Sequence, residues 1–149
     1  MRRVITSVNP AGQSFVQSDE EIEARSILWT ADPKDFRRIL DAIDPATVLR
    51  YVQPPPGGMI WILVEYQPGA GMQPAAQPDH LSEMDERGFH VTRTIDFIYV
   101  LEGGIILDLD LQSVQLSTGD VVLLQAGHHA WRNPTDHVVR FIDVLVSGD

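Results

Sequence analysis

A chain of 149 residues, 44% of them hydrophobic, is long enough for one core that buries roughly 70% of the unfolded surface, and too short for two. Its 21 acidic against 11 basic side chains leave a formal charge of -10, whose field repels phosphate backbones and anionic lipid surfaces and argues against nucleic acid or a membrane as partner. The absence of cysteine removes disulfides, thiolate metal sites and cysteine nucleophiles.

In chain order, the first twenty residues have a basic start but no long apolar stretch of the signal-peptide kind, and no later run approaches membrane-spanning length, so a soluble cytoplasmic protein is expected. "RRVITSV" and "QSFVQS" flank "NPAG" and predict an N-terminal hairpin; a further strand is expected in "SILWT". In "DPKDFRRILDAID" the period changes, with Phe36, Ile39, Leu40 and Ile43 at helical spacing, Asp32 as cap and Pro33 in the first turn. The run from Pro54 to Gly58 ends that region. Beyond it come "MIWILVEYQ", a loop of about twenty residues from Pro68 to Gly88, the stretch "GFHVTRTIDFIYVLEGG", then "IILDLDLQSVQL", "DVVLLQ", "HHAWRN" and "VVRFIDVLV". Short strands rich in Val, Ile and Leu, separated by turn residues, predict an all-β antiparallel sandwich or barrel and no βαβ sheet. A loop as long as 68–88 is expected to be functional or mobile, and it carries His80.

The second half of the chain resembles the cupins. Their first motif runs His-x-His, three or four residues, Glu, six residues, Gly; here His90-x-Thr92, three residues, Asp96, six residues and Gly103 follow that spacing with two substitutions. Their second motif ends in His, three residues, Asn; here Gly119 leads to His129 and Asn133 with one residue fewer and without the usual proline. The resemblance covers Gly88 to Asn133, extends to Met59 and Val146, and implies a double-stranded β-helix, the jelly-roll barrel, with an N-terminal hairpin and one short helix. It implies a single domain over 1–149, with N-terminal strands and helix in 1–53 and the barrel in 59–147. It also implies a homodimer, the N-terminal hairpin being marginal alone.

Alternation along a strand puts His90 and Thr92 on one face, with Asp96 joining them if no bulge intervenes, and puts His129 with Trp131. If both faces look into the barrel, His90, Asp96 and His129 form the two-histidine, one-carboxylate set that binds a divalent metal such as Fe, Mn, Ni or Zn. Thr92 stands where the family has a second histidine ligand, Asp96 reaches about one methylene less far than Glu, and His80 is a candidate replacement donor. Trp131 reads as pocket wall or core, and His128 as exposed. A carboxylate leading into "FIYVL" is costly to bury unless a metal, a cation or several donors satisfy it, and a salt bridge from Asp96 to Arg93 or Arg132 is the plain alternative.

There is no GxSxG elbow, phosphate-cradling glycine loop or HExxH helix, and only Asp96 is expected inside, which leaves no paired-carboxylate site. Three functions remain for a small organic substrate or ligand. One is a metal-dependent oxygenase, decarboxylase, isomerase or lyase. Another is a metal-free dehydratase or epimerase using His129, Asp96 and Thr92 as catalytic groups, and the last is a non-catalytic binding module.

Overall fold

A computed structural model describes residues 1–30, 33–49, 53–76 and 78–148. Strands β1 (Arg2–Val8) and β2 (Ser14–Glu21) form a hairpin, turned by Asn9, whose Oδ1 accepts from the amides of Ala11 and Gln13 at 2.9 and 3.0 Å. The segment 26–30 is not a strand. It is irregular, its Leu28 carbonyl accepting from Arg3 at 2.6 Å while Trp29 meets Phe97 edge-on at 5.7 Å. Helix α1 (Pro33–Asp41) follows, its buried Leu40 packing with Ile43, Val48 and Ala126 as a small cluster. The Asp32 cap and the Phe36 side chain lie outside the described residues.

The remaining strands are β3 (Met59–Tyr66), β4 (His90–Glu102), β5 (Gly104–Leu109), β6 (Ser113–Ser117), β7 (Val121–Arg132) and β8 (Val139–Ser147). Their order is β2-β1-β7-β4-β8-β3, with β5 paired to β7 and β6 to β5. The pairings are antiparallel except β1 with β7, where Arg3 to Ile5 run parallel to Val121 to Leu123. "DVVLLQ" and "HHAWRN", read from sequence as separate strands, are one strand. The sheet closes into an all-β jelly-roll barrel. Its interior is solid at one end, where Ile98, Val100, Ile105, Leu107, Leu116, Val122 and Phe141 form the core, each buried side chain contributing about 1.5–3 kcal/mol. At the other end, where the polar residues of β4 point inward, it is hollow. No helix among the described residues is long and apolar enough to cross a membrane.

Candidate functional site

Two strand irregularities decide which side chains reach the hollow. On β4 an extra residue is accommodated between Thr92, paired with Gly127, and Ile95, paired with Gln125. On β7, Ala126 and Gly127 take φ of 49° and 89°, in the left-handed region. Across this pair the inward positions change parity, from Val122 and Leu124 before it to His129 and Trp131 after it. A Cβ on Gly127 would meet the Val8 Cγ2 at 2.8 Å, so both backbone angle and space require glycine. The result is that His129 is buried and directly opposite His90, with ring centroids 4.3 Å apart.

The hollow is a cavity of about 450 Å3, within the range of small-molecule sites. From β4 it receives His90, Thr92 and Asp96, and from β7 His129 and Trp131. β8 adds Phe141, Asp143 and Leu145, and β3 adds Tyr66. Leu81 and Met84 of the 68–88 loop also line it. Tyr66 stacks on Phe141 at 6.1 Å and Phe141 meets Trp131 at 5.0 Å, making one aromatic wall. A second hollow of about 720 Å3 lies between the hairpin and α1, but none of its described lining residues holds a buried side-chain atom without a partner.

The barrel cavity differs on that count. Thr92 Oγ1, Asp96 Oδ1 and Asp143 Oδ1 are buried with no hydrogen-bond partner, as is the Oγ1 of neighbouring Thr94. Such orphaned groups are rare in native interiors and each requires an explanation. The two acids form a pair that sequence reasoning missed. Asp143 was legible in "FIDVL": it alternates with Phe141 and Leu145 and so shares their inward face. The expectation that only Asp96 is inside is therefore corrected. Burial pushes the Asp96 carboxyl up to about 7, against the opposing effect of the nearby Thr94 hydroxyl. Burial, helped by the charge on Asp96, pushes Asp143 up to about 9.

Each histidine has one nitrogen already committed. The Nδ1 of His90 is 2.9 Å from the Gly88 carbonyl and that of His129 is 3.0 Å from the Gly127 carbonyl. A carbonyl only accepts, so both Nδ1 atoms carry the proton and donate, leaving Nε2 as a lone pair. Burial lowers the pKa of His90; burial and the neighbouring His90 charge hold His129 well below the ordinary histidine value. Both shifts favour the neutral ring.

Other residues have structural work. His128 is half-exposed on the outside, its Nδ1 2.8 Å from Asp110 and its ring against Phe89. Asn133, fully buried, donates to the carbonyls of Tyr66, Gln67 and His137 and accepts from Thr135, fastening the loop after β7 to the end of β3. Arg132 pairs with Asp108, and Arg93 donates to the carbonyls of Leu40 and Ile43. His80 lies in a single 3-10 turn, Asp79–Leu81, but its side chain is outside the described residues.

The two Nε2 lone pairs suit two positions of a metal's coordination shell, with each ring fixed by its Nδ1–H on a backbone carbonyl. A third donor is not with them: among the described residues no three His, Asp or Glu side chains are grouped so as to hold one ion. Thr92 supplies a hydroxyl where an imidazole would ligate, and Asp96 shares its face with Asp143 on the adjacent strand. The described residues therefore do not assemble His90, Asp96 and His129 into a metal site.

The cupin domain model matches residues 62–145, more than half of the chain. No curated protein matches the sequence. Solved structures similar to it include the cupin domain of Cnp3 from Schizosaccharomyces pombe (16% identity, TM-score 0.44, 60% of this chain and 56% of that one). Others are a cupin-superfamily sugar phosphate isomerase from Silicibacter pomeroyi (22%, 0.40, 59% and 50%) and the polyketide cyclase RemF from Streptomyces resistomycificus (19%, 0.42, 59% and 54%). In all three the likeness spans less than two thirds of the other chain. The family match runs from within β3 to within β8, through the strands that build the cavity, and the chain belongs to the cupin family.

Proposed function

We propose that the barrel cavity binds a small organic molecule and exchanges a proton with it through the Asp96–Asp143 pair, without need of a metal. The observation that supports this reading is that Thr92, Asp96 and Asp143, which line the cavity from β4 and β8, each hold a buried polar atom without a partner. Desolvating them costs about 1–3 kcal/mol each, a cost that a bound molecule with complementary groups offsets. With one acid titrating near 7 and the other near 9, the pair holds a donor and an acceptor together at neutral pH, as acid–base chemistry requires. His129 and His90 orient the substrate through Nε2, Thr92 adds a hydroxyl, and Trp131, Phe141 and Tyr66 pack its apolar part. Dehydration and epimerisation are the reactions this set serves. In dehydration, Asp143 gives its proton to a departing hydroxyl, which leaves as water, while Asp96 takes one from the adjacent carbon.

The test is a compound screen by thermal stabilisation, followed by product analysis of the hits. A true ligand raises stability by roughly 2.7 kcal/mol at a hundredfold excess over its dissociation constant. Asp143→Asn should weaken binding and abolish turnover. Elemental analysis runs beside it: one tightly held metal per chain, lost in His129→Ala, contradicts the metal-free reading.

We also propose that the chain acts as a homodimer through the outer face of β3, β8 and β4. Trp61 and Leu63 are 73% and 63% exposed, and register aligns Phe97, Val144 and Trp61 in one row and Tyr99, Ile142 and Leu63 in the next. An apolar face spanning three strands, on the side where β3 ends the sheet, suits a self-complementary contact with a second copy.

A further inference from the structure

The cavity is rich in acceptors and has no cation among its described lining residues. His90 and His129 spend their ring N–H groups on the Gly88 and Gly127 carbonyls, so each offers the cavity only an acceptor. Asp96 and Asp143 add carboxyl oxygens, one on each acid buried and unpartnered. No arginine or lysine is among the described residues that line it. Arg132 and Arg140, which sit on the strands of the barrel, are spent on Asp108 and on Glu65 and Glu102. Beside the acids runs the aromatic wall, and Phe141 is two residues from Asp143 on the same face of β8. Carboxyl groups next to aromatic faces, in a desolvated pocket, are the combination that holds an organic cation, by charge-assisted hydrogen bonds on one side and ring quadrupoles on the other. A carboxylate or phosphate entering the same space would meet the Thr92 hydroxyl and the protonated Asp143 but no cation among the described lining residues, leaving its charge without a counterion. The overall charge of -10 adds a field that draws cations in and turns anions away.

We propose that the cavity is selective for a cationic ligand, a primary ammonium or amidinium carried on a small apolar or aromatic body, and that it rejects carboxylates and phosphates of the same size. This rests on the reading of the cavity as a small-molecule site, and the experiment separates the two claims. Three matched probes are titrated into the 149-residue chain: 2-phenylethylamine as its ammonium ion, 3-phenylpropanoate and 2-phenylethanol. Binding is read by thermal stabilisation, and occupation of the cavity by the imidazole 15N shifts of His90 and His129, which report any occupant whatever its charge. The ammonium should stabilise the protein and move both imidazole signals, at least about tenfold more tightly than the alcohol, while the carboxylate does neither. The near-isosteric Asp143→Asn, and Asp96→Asn as its companion, should each weaken the ammonium about tenfold or more and narrow its advantage over the alcohol. If the carboxylate or the alcohol moves the imidazole signals as strongly as the ammonium does, the cation preference is overturned and the cavity reading survives. If the ammonium binds equally well to a folded Asp143→Asn and Asp96→Asn, the carboxyl pair is not the recognition element and the proposal falls. Silence from all three probes at millimolar concentration overturns both readings.

Discussion

The two faces of β4 and β8 invert the usual polarity of a barrel. Inside, where apolar side chains belong, β4 and β8 present Thr92, Asp96 and Asp143, buried and with unpartnered oxygens. Outside, the same strands carry Phe97, Tyr99 and Leu101 in partial contact with solvent and, through β8, continue to Trp61 and Leu63 on β3. An isolated exposed leucine would mean nothing, since much of any protein surface is apolar. Polar groups without partners inside and a continuous apolar face outside, three strands wide, both depart from what folding alone would select. On the reading proposed above, a ligand answers the inner departure and a second copy of the chain the outer one.

The comparison breaks most visibly on the outer face. Light scattering at tens of micromolar should give the mass of a dimer, and Trp61→Asp combined with Leu63→Asp should give a folded monomer. Two central aromatic or aliphatic anchors, at about 2 kcal/mol each and each present twice in a symmetric dimer, move the dissociation constant by about a millionfold. A wild-type monomer at that concentration removes this half of the account. Next in size is Gly127→Ala, which forces a side chain into a left-handed backbone position and against Val8. A loss of about 2 kcal/mol is expected, a fall of several degrees in Tm for a domain of this size, together with altered His129 imidazole shifts. An unchanged Tm would mean that the Ala126–Gly127 bend does not hold the histidine in place.

The inner face is sharpened by pH. Asp143 has a folded-state pKa raised to about 9, against roughly 4 in the unfolded chain. Between those values the native state binds more protons than the unfolded state, so stability due to this group is full at low pH and is lost as pH rises towards 9. Asp143→Asn does not titrate. Its Tm relative to wild type should therefore climb from pH 5 to pH 9, by the equivalent of about 1 kcal/mol per pH unit. A gap that stays flat with pH would show that Asp143 is ionised and satisfied as it stands. Smallest of all is Trp61→Ser measured under monomeric conditions, expected to stay within about 0.5 kcal/mol of wild type because the side chain is 73% exposed.

Much of this architecture was legible in the residues. The hairpin followed from Asn9 to Gly12, the helix from Pro33 and the spacing of Ile39, Leu40 and Ile43, and the barrel from short apolar strands and the motif spacing at His90 to Gly103 and His129 to Asn133. Three things were hidden. The parallel contact of β1 with β7 is a long-range pairing that leaves no local periodic signal. The continuity of β7 was masked because "QAGHH" reads as a turn, whereas Ala126 and Gly127 bend the strand without ending it. "SILWT" has strand composition, yet it packs by Trp29 on Phe97 and by its carbonyls on Arg3 without joining the sheet, so tertiary contact overrides propensity. Asp143 is different in kind. Its alternation with Phe141 and Leu145 was visible, and what the sequence could not disclose was that Asp96 waits across the pleat.

The most direct test of the inner face is a site-resolved titration of the Asp96 and Asp143 side-chain carboxyl carbons by 13C NMR on the ligand-free protein. The account predicts that the pair titrates in two steps, with midpoints near 7 and 9. Two carboxyls that titrate together near pH 4, as solvated aspartates do, would contradict it.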